Sequence, residues 1–431
     1  MISQDLINDN LKGRFMDEAF RMGTELCRTA IWHQGSCNWI GRNYDFDRKF
    51  EFFESLGSDF YLGTSGISFF LHHLHDATGE KLFAETASGA MNHAMKNIPI
   101  NSGSAFGFYS GSAGIIYVLL DVYYLTKEEK FLSEAIKMLG SLVSKNVNDA
   151  DADVISGAAG CIFLLLFAYE LLHNEKYIEK ATELGNFLLS NAKAETVGIS
   201  WKTISGCERN LTGYSHGSAG IGLSLLLLHS RTGEEKFLKA YEKSFQYEDF
   251  FFNEKILNWP DFRIDDGKIK DEIKYSNAWC HGSPGIGLAR LLAYLITKED
   301  KLFSVAEKVS GSVRNNLSNC NNFSLCHGYF GNAELPLLLA RHTGNNNIIG
   351  QICKQAENIL TVTEENGGEW KCGSMTLRAE PGFMCGQSGI GNFLLRLSNN
   401  FKYDSGIFIE KLFPVSVSPD NSPVDLSISG K

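Results

Sequence analysis

Nowhere in this sequence do apolar residues run long enough to cross a bilayer. The stretch from Gly160 to Tyr169 meets Glu170 well short of the ~20 residues that a helical span needs. Basic residues are the minority, 40 against 50 acidic, and the net charge of -10 opposes binding a polyanion over a broad face. Nucleic acid is thereby set aside as a partner. The opening residues, MISQDLINDN, lack a basic segment followed by an apolar one, so a cytoplasmic location is expected. The ten cysteines (27, 37, 161, 207, 280, 320, 326, 353, 372, 385) include no CxxC pair, and a chain of 431 residues is too long to need disulfide staples. Most are expected to be free core thiols. With 44% apolar and 21% charged residues, the chain is neither disordered nor fibrous.

What the sequence does contain is a repeat. Gly-x-x-Gly followed by about ten mostly apolar residues occurs seven times, beginning at Gly63, Gly111, Gly157, Gly217, Gly282, Gly328 and Gly386. Twelve residues after the second glycine, five copies carry a threonine (Thr78, Thr126, Thr232, Thr297, Thr343) that opens a polar turn such as TGEK or TKEDK. Twelve residues is long for a strand and suits a three-turn helix. An amphipathic stretch follows each turn, as in FLSEAIKMLGSLVSK (131–145), with a charged face and an apolar one. Each repeat therefore predicts a fully buried inner helix and a half-exposed outer one. Seven such hairpins close into an all-α fold, an α/α toroid (barrel) of seven inner and seven outer helices.

No linker divides the chain, so residues 1–414 are expected to form a single α/α barrel domain. Surface excursions are expected near 193–213 and 253–278, where the repeat spacing lengthens and turn residues collect. Residues 1–55 are expected to include the first repeat's outer helix. Residues 415–431 have the turn-rich composition of a flexible tail.

If every inner helix starts at one end of a ring, the two residues before each first glycine face a common space. In order they are Tyr61-Leu62, Tyr109-Ser110, Ile155-Ser156, Ser215-His216, Cys280-His281, Cys326-His327 and Met384-Cys385. Three histidines share one slot in consecutive repeats, and two cysteines share the slot before it. Thiolate and imidazole are zinc ligands, and three protein ligands leave a fourth position for water or substrate. Cys280, Cys326 and a histidine compose such a Cys₂His set. His216 is weighed against a capping or packing role. For His281, ligation, acid–base work and substrate contact all compete.

These motifs, TGYSHGSAGIG (212–222), WCHGSPGIG (279–287) and CHGYFGN (326–332), resemble the lanthionine synthetase C-like family, the LanC cyclases of class I lanthipeptide biosynthesis. The resemblance spans about residues 55–400. It implies an α/α toroid, a Zn2+ cofactor with Cys280, Cys326 and His327 as ligands, His216 in acid–base work and Asp153 close to the metal. His281 is compatible with a position that varies between tyrosine and histidine. Where some members carry arginine four residues before the first cysteine, this chain has Ser276.

The function implied is Michael-type addition of peptide cysteine thiolates to dehydroalanine or dehydrobutyrine, giving (methyl)lanthionine rings. The implied partners are a dehydrated precursor peptide with leader and core, a dehydratase and an ABC exporter, through which the enzyme could associate with a membrane. The alternative is a LanC-like protein that binds thiols or glutathione, adds glutathione, or serves a synthase complex without catalysis. A prenyltransferase subunit would want an aspartate ligand and a basic pocket. A glycosidase would want paired carboxylates at the slots, which are missing.

Overall fold

The computed structural model describes residues 7–45, 48–98, 105–263 and 274–415. Seven inner helices begin directly after the seven first glycines: α2 (Thr64–Thr78), α4 (Ser112–Thr126), α6 (Ala158–Leu172), α8 (Ser218–Thr232), α10 (Ser283–Thr297), α12 (Tyr329–Thr343) and α14 (Gln387–Ser398). Seven outer helices sheathe them: α1 (Asp9–Thr29), α3 (Lys81–Lys96), α5 (Glu129–Val143), α7 (Glu175–Asn191), α9 (Glu235–Phe251), α11 (Asp300–Asn316) and α13 (Asn346–Glu365). Inner helices from α2 to α12 pack on their neighbours in chain order, side chains join α12 to α14, and α14 returns to α2. The result is the expected α/α toroid.

The threonine landmark ends the inner helix. Thr78 Oγ1 donates back to the Leu74 carbonyl at 2.7 Å and accepts the Glu80 amide at 3.3 Å, so one hydroxyl satisfies groups on both sides of the helix terminus. Thr126, Thr232 and Thr297 repeat both bonds. The second glycine of each motif answers a different need, because the approaching chain crosses the first turn of its own helix. A Cβ on Gly114 would stand 2.0 Å from the Phe108 carbonyl oxygen, and one on Gly331 1.6 Å from that of Leu325.

The N-terminal helix departs from expectation. It does not belong to the first repeat. In every hairpin the outer helix follows its inner partner, so α3 serves α2, while among the described residues no outer helix follows α14. That place is filled by α1, whose buried face (Phe15, Ala19, Met22, Leu26) lies along α14 and completes the seventh repeat. Residues 31–55 form two short antiparallel hairpins, β1 (Ile31–His33) with β2 (Ser36–Asn38) and β3 (Ile40–Asp45) with β4 (Phe50–Ser55). The 193–213 excursion opens with a third hairpin, β5 (Lys193–Ala194) with β6 (Ile199–Ser200). Residues 264–273 of the second excursion lie outside the described residues, as does the expected tail beyond Val415.

Residues 403–412 fill the ring at the end opposite the helix starts. Tyr109 Oη donates to the Gly406 and Ile407 carbonyls, and Lys411 Nζ donates to Asp121 at 2.7 Å inside the ring. Between α12 and α14, Phe330 stacks on Phe393 at 4.5 Å, and Arg396 bridges Glu334 and Glu410.

Candidate active site

The residue two before each first glycine takes part in a belt of backbone hydrogen bonds that runs once round the ring. The Tyr61 amide donates to the Tyr109 carbonyl, Tyr109 to Ile155, Ser215 to Cys280, Cys280 to Cys326, Cys326 to Met384 and Met384 back to Tyr61, over 2.7–3.3 Å. At the third repeat the donor shifts by one residue, with the Val154 amide bonded to the Ser215 carbonyl at 3.1 Å. Approach segments 46 to 65 residues apart in sequence are thus zipped side by side, and six of the seven contribute side chains to one cavity of roughly 490 Å³. Tyr61, Ser215, His216, Arg263, Cys280, His281, Cys326 and His327 line it.

Cys280 and Cys326 are neighbours on the belt. The nearby Cys326 thiol, then burial, pushes the Cys280 thiol well above its usual range. Cys326, His327 and Cys385 each offer a ligand atom within 4.8 Å of the other two. The His327 Nε2 lies 3.1 Å from the Gly373 carbonyl, which can only accept; Nε2 therefore carries the proton and Nδ1 is left to ligate. Tyr61 Oη donates to Cys326 Sγ at 2.7 Å. Sulfur and imidazole donors packed this closely suit a soft divalent ion of the zinc type, whose charge would let the buried thiols ionise.

His216 lines the same cavity, on the segment that is zipped to that of Cys280. Its Nδ1 is 2.5 Å from Asp153 Oδ2, while Asp153 Oδ1 accepts the Ser156 amide at 2.7 Å. The aspartate therefore caps its own loop and orients the histidine, leaving the His216 Nε2 for the cavity. His281 stacks on His216 at 5.8 Å but is 2% exposed, and burial, followed by the Arg263 charge, pushes its pKa down to about 3.

Two residues of the site were not singled out from the sequence. Arg263, from the second excursion, brings a guanidinium to the cavity that Ser276 does not supply. Asp261 holds that guanidinium at 2.5 Å and also accepts the Ser276 hydroxyl at 2.6 Å. No repeat phase marks Arg263, so pattern alone could not find it. Cys385 was visible, since it occupies the seventh-repeat slot that holds His216, His281 and His327 in others. Among the described residues no helix is long and apolar enough to cross a membrane.

The chain is 26% identical over 363 residues to the nisin biosynthesis protein NisC of Lactococcus lactis subsp. lactis, covering 77% of this chain and 84% of that protein. It is 28% identical over 211 residues to the lacticin 481/lactococcin biosynthesis protein LcnDR2 of the same organism, 45% of this chain and 22% of that longer protein. The solved structure of nisin cyclase superposes with a TM-score of 0.64 at 21% identity, over 83% of this chain and 92% of that one, and shares the toroidal fold. Residues 54–406 match the family described as "Lanthionine synthetase C-like protein". By that match, over most of its length, this chain belongs to the lanthionine synthetase C-like family.

Proposed function

We propose that this chain is a lanthipeptide cyclase, joining a cysteine thiol of a dehydrated precursor peptide to a dehydroalanine or dehydrobutyrine in the same peptide. The observation that carries this reading is that Cys280, Cys326 and His327 line one cavity together with His216, which Asp153 holds. Its relatives in nisin and lacticin 481 biosynthesis support a peptide substrate of this kind. Cys280, Cys326 and His327 would hold zinc, which, when bound, favours the thiolate form of a peptide cysteine at neutral pH.

The chain's own residues account for the rest. The thiolate adds to the β-carbon of the alkene, the π pair moves toward the adjoining carbonyl as an enolate, and a proton arrives at the α-carbon. One C–S and one C–H bond form, and the alkene and the thiol S–H are lost. His216 delivers the proton from Nε2, because Asp153 fixes its ring by the other nitrogen. The Arg263 guanidinium, held by Asp261, favours the negative charge developing on oxygen. His281, buried beneath His216, holds that ring in place by stacking. A dehydratase is the partner this chemistry requires upstream, and an ABC exporter belongs to the same reading.

The test is a peptide carrying one dehydroalanine and one cysteine, incubated with wild type and with Cys280→Ala. Wild type should consume the free thiol and form the thioether. Equal ring formation by both proteins would refute the reading.

A further inference from the structure

Cys326, His327 and Cys385 form one close ligand group, and Cys280 adjoins it as the neighbour of Cys326 on the belt. Cys385 Sγ lies within 4.8 Å of the ligand atoms of Cys326 and His327. Two ligands of one tetrahedral zinc stand about 3.5–4 Å apart, given bonds of ~2.3 Å to sulfur and ~2.0 Å to nitrogen. The approach is built in: the Gly373 amide donates to the Cys385 carbonyl at 2.8 Å, and the same residue's carbonyl takes the His327 Nε2–H. One short segment thereby fixes both side chains. A Cβ on Gly373 would stand 2.7 Å from Ser324 Oγ and 2.9 Å from His327 Nε2, so a larger residue would push one of them aside. The Tyr61 hydroxyl spans the two sulfurs, 2.7 Å from Cys326 and 3.6 Å from Cys385.

Cys385 also differs from the others in what it faces. Cys280, Cys326 and His327 line the central cavity. Cys385 lines a neighbouring groove between the β3–β4 hairpin and residues 373–382, and the two spaces share Asp59 and Leu62. A sulfur at that boundary meets whatever enters along the groove.

We propose that Cys385 is a fourth ligand of the site, resident when no peptide is bound and displaced by the substrate's thiol. This rests on the zinc reading above. Four protein ligands make a closed, structural kind of site, whereas a catalytic one needs a vacant position, so one ligand has to leave. Cys385 yields its place to the peptide cysteine and takes up the proton that this thiol releases. Three sulfurs and one imidazole are present before and after, and the charge is unchanged. The exchange admits a thiol and offers nothing to a hydroxyl or amine, so the site selects cysteine.

The full chain loaded with cobalt(II) in place of zinc tests this without reference to turnover, because thiolate-to-cobalt absorption in the near ultraviolet grows with the number of sulfurs bound. Wild type should show three thiolates. Cys385→Ser should keep one metal per chain with about two-thirds of the wild-type absorption. N-acetylcysteine amide should restore the missing third in Cys385→Ser and leave the wild-type intensity unchanged. Cys385→Ala, checked by circular dichroism, should behave as the serine variant does. Equal absorption in wild type and both variants would overturn the role of Cys385 while leaving the zinc reading intact. If Cys280→Ser and Cys326→Ser also bound cobalt as wild type does, the zinc reading itself would fail.

Discussion

The amide of Cys280 donates to the carbonyl of Cys326 at 3.3 Å, one link in the backbone belt that encircles the mouth of the ring. The two sulfurs are therefore brought together by main chain, not by the ion they would share. Removing metal should leave the toroid folded. Chelation is expected to lower Tm by no more than ~5 °C, with helical circular dichroism retained. Cys326→Ala should purify without zinc and lose this chelator sensitivity, as metal analysis and melting curves would report.

Asp153 holds His216 through one oxygen and its own loop through the other. Asp153→Asn keeps an acceptor for the Ser156 amide but loses the charge beside the ring. It should lower kcat by about 10- to 100-fold with little change in KM, and His216→Ala by about 100-fold or more. Steady-state kinetics on a dehydrated peptide separates the two parameters. A rise confined to KM would instead make His216 a peptide-binding residue.

The second glycines make a prediction about stability alone. Gly114→Ala forces a Cβ to within 2.0 Å of the Phe108 carbonyl oxygen and should cost about 3 kcal/mol or more. Gly140, exposed on α5 with nothing within 4 Å of such a Cβ, is the control. Gly140→Ala should stabilise by about 0.5–1 kcal/mol. Denaturant midpoints read both.

Buried Glu248 accepts the amides of Gly213 and Ala219, flanking the loop that carries His216, at 3.1 and 2.8 Å. Burial pushes its pKa up to about 8 from 4.5. The folded chain thus binds a proton there that the unfolded chain releases, so stability falls as pH rises from about 4.5 through about 8. Glu248→Gln keeps an oxygen acceptor and cannot ionise. Melting temperatures across that range should fall less steeply in the variant; parallel curves would contradict the assignment.

Repeats of glycine, threonine and apolar residues made the helices and their ring legible, because those features reflect local backbone needs recurring at fixed spacing. The slot residues were legible for the same reason: one phase in sequence became one belt in space. Arg263 was not, since it enters from an excursion outside the repeat. Asp153 lies two residues upstream of the slot pair in its repeat, Ile155 and Ser156, and its partner His216 is 63 residues away. Only the family resemblance pointed to it. The position of α1 was misread because chain order in the hairpins leaves the last inner helix uncovered, and a lone amphipathic stretch does not say which neighbour it will cover.

Of the described helices, α1 comes first in the sequence and its partner α14 last. The apolar stripe of Phe15, Ala19, Met22 and Leu26 thus meets its counterpart across the widest separation in the described chain, and the ring shuts where those two helices join.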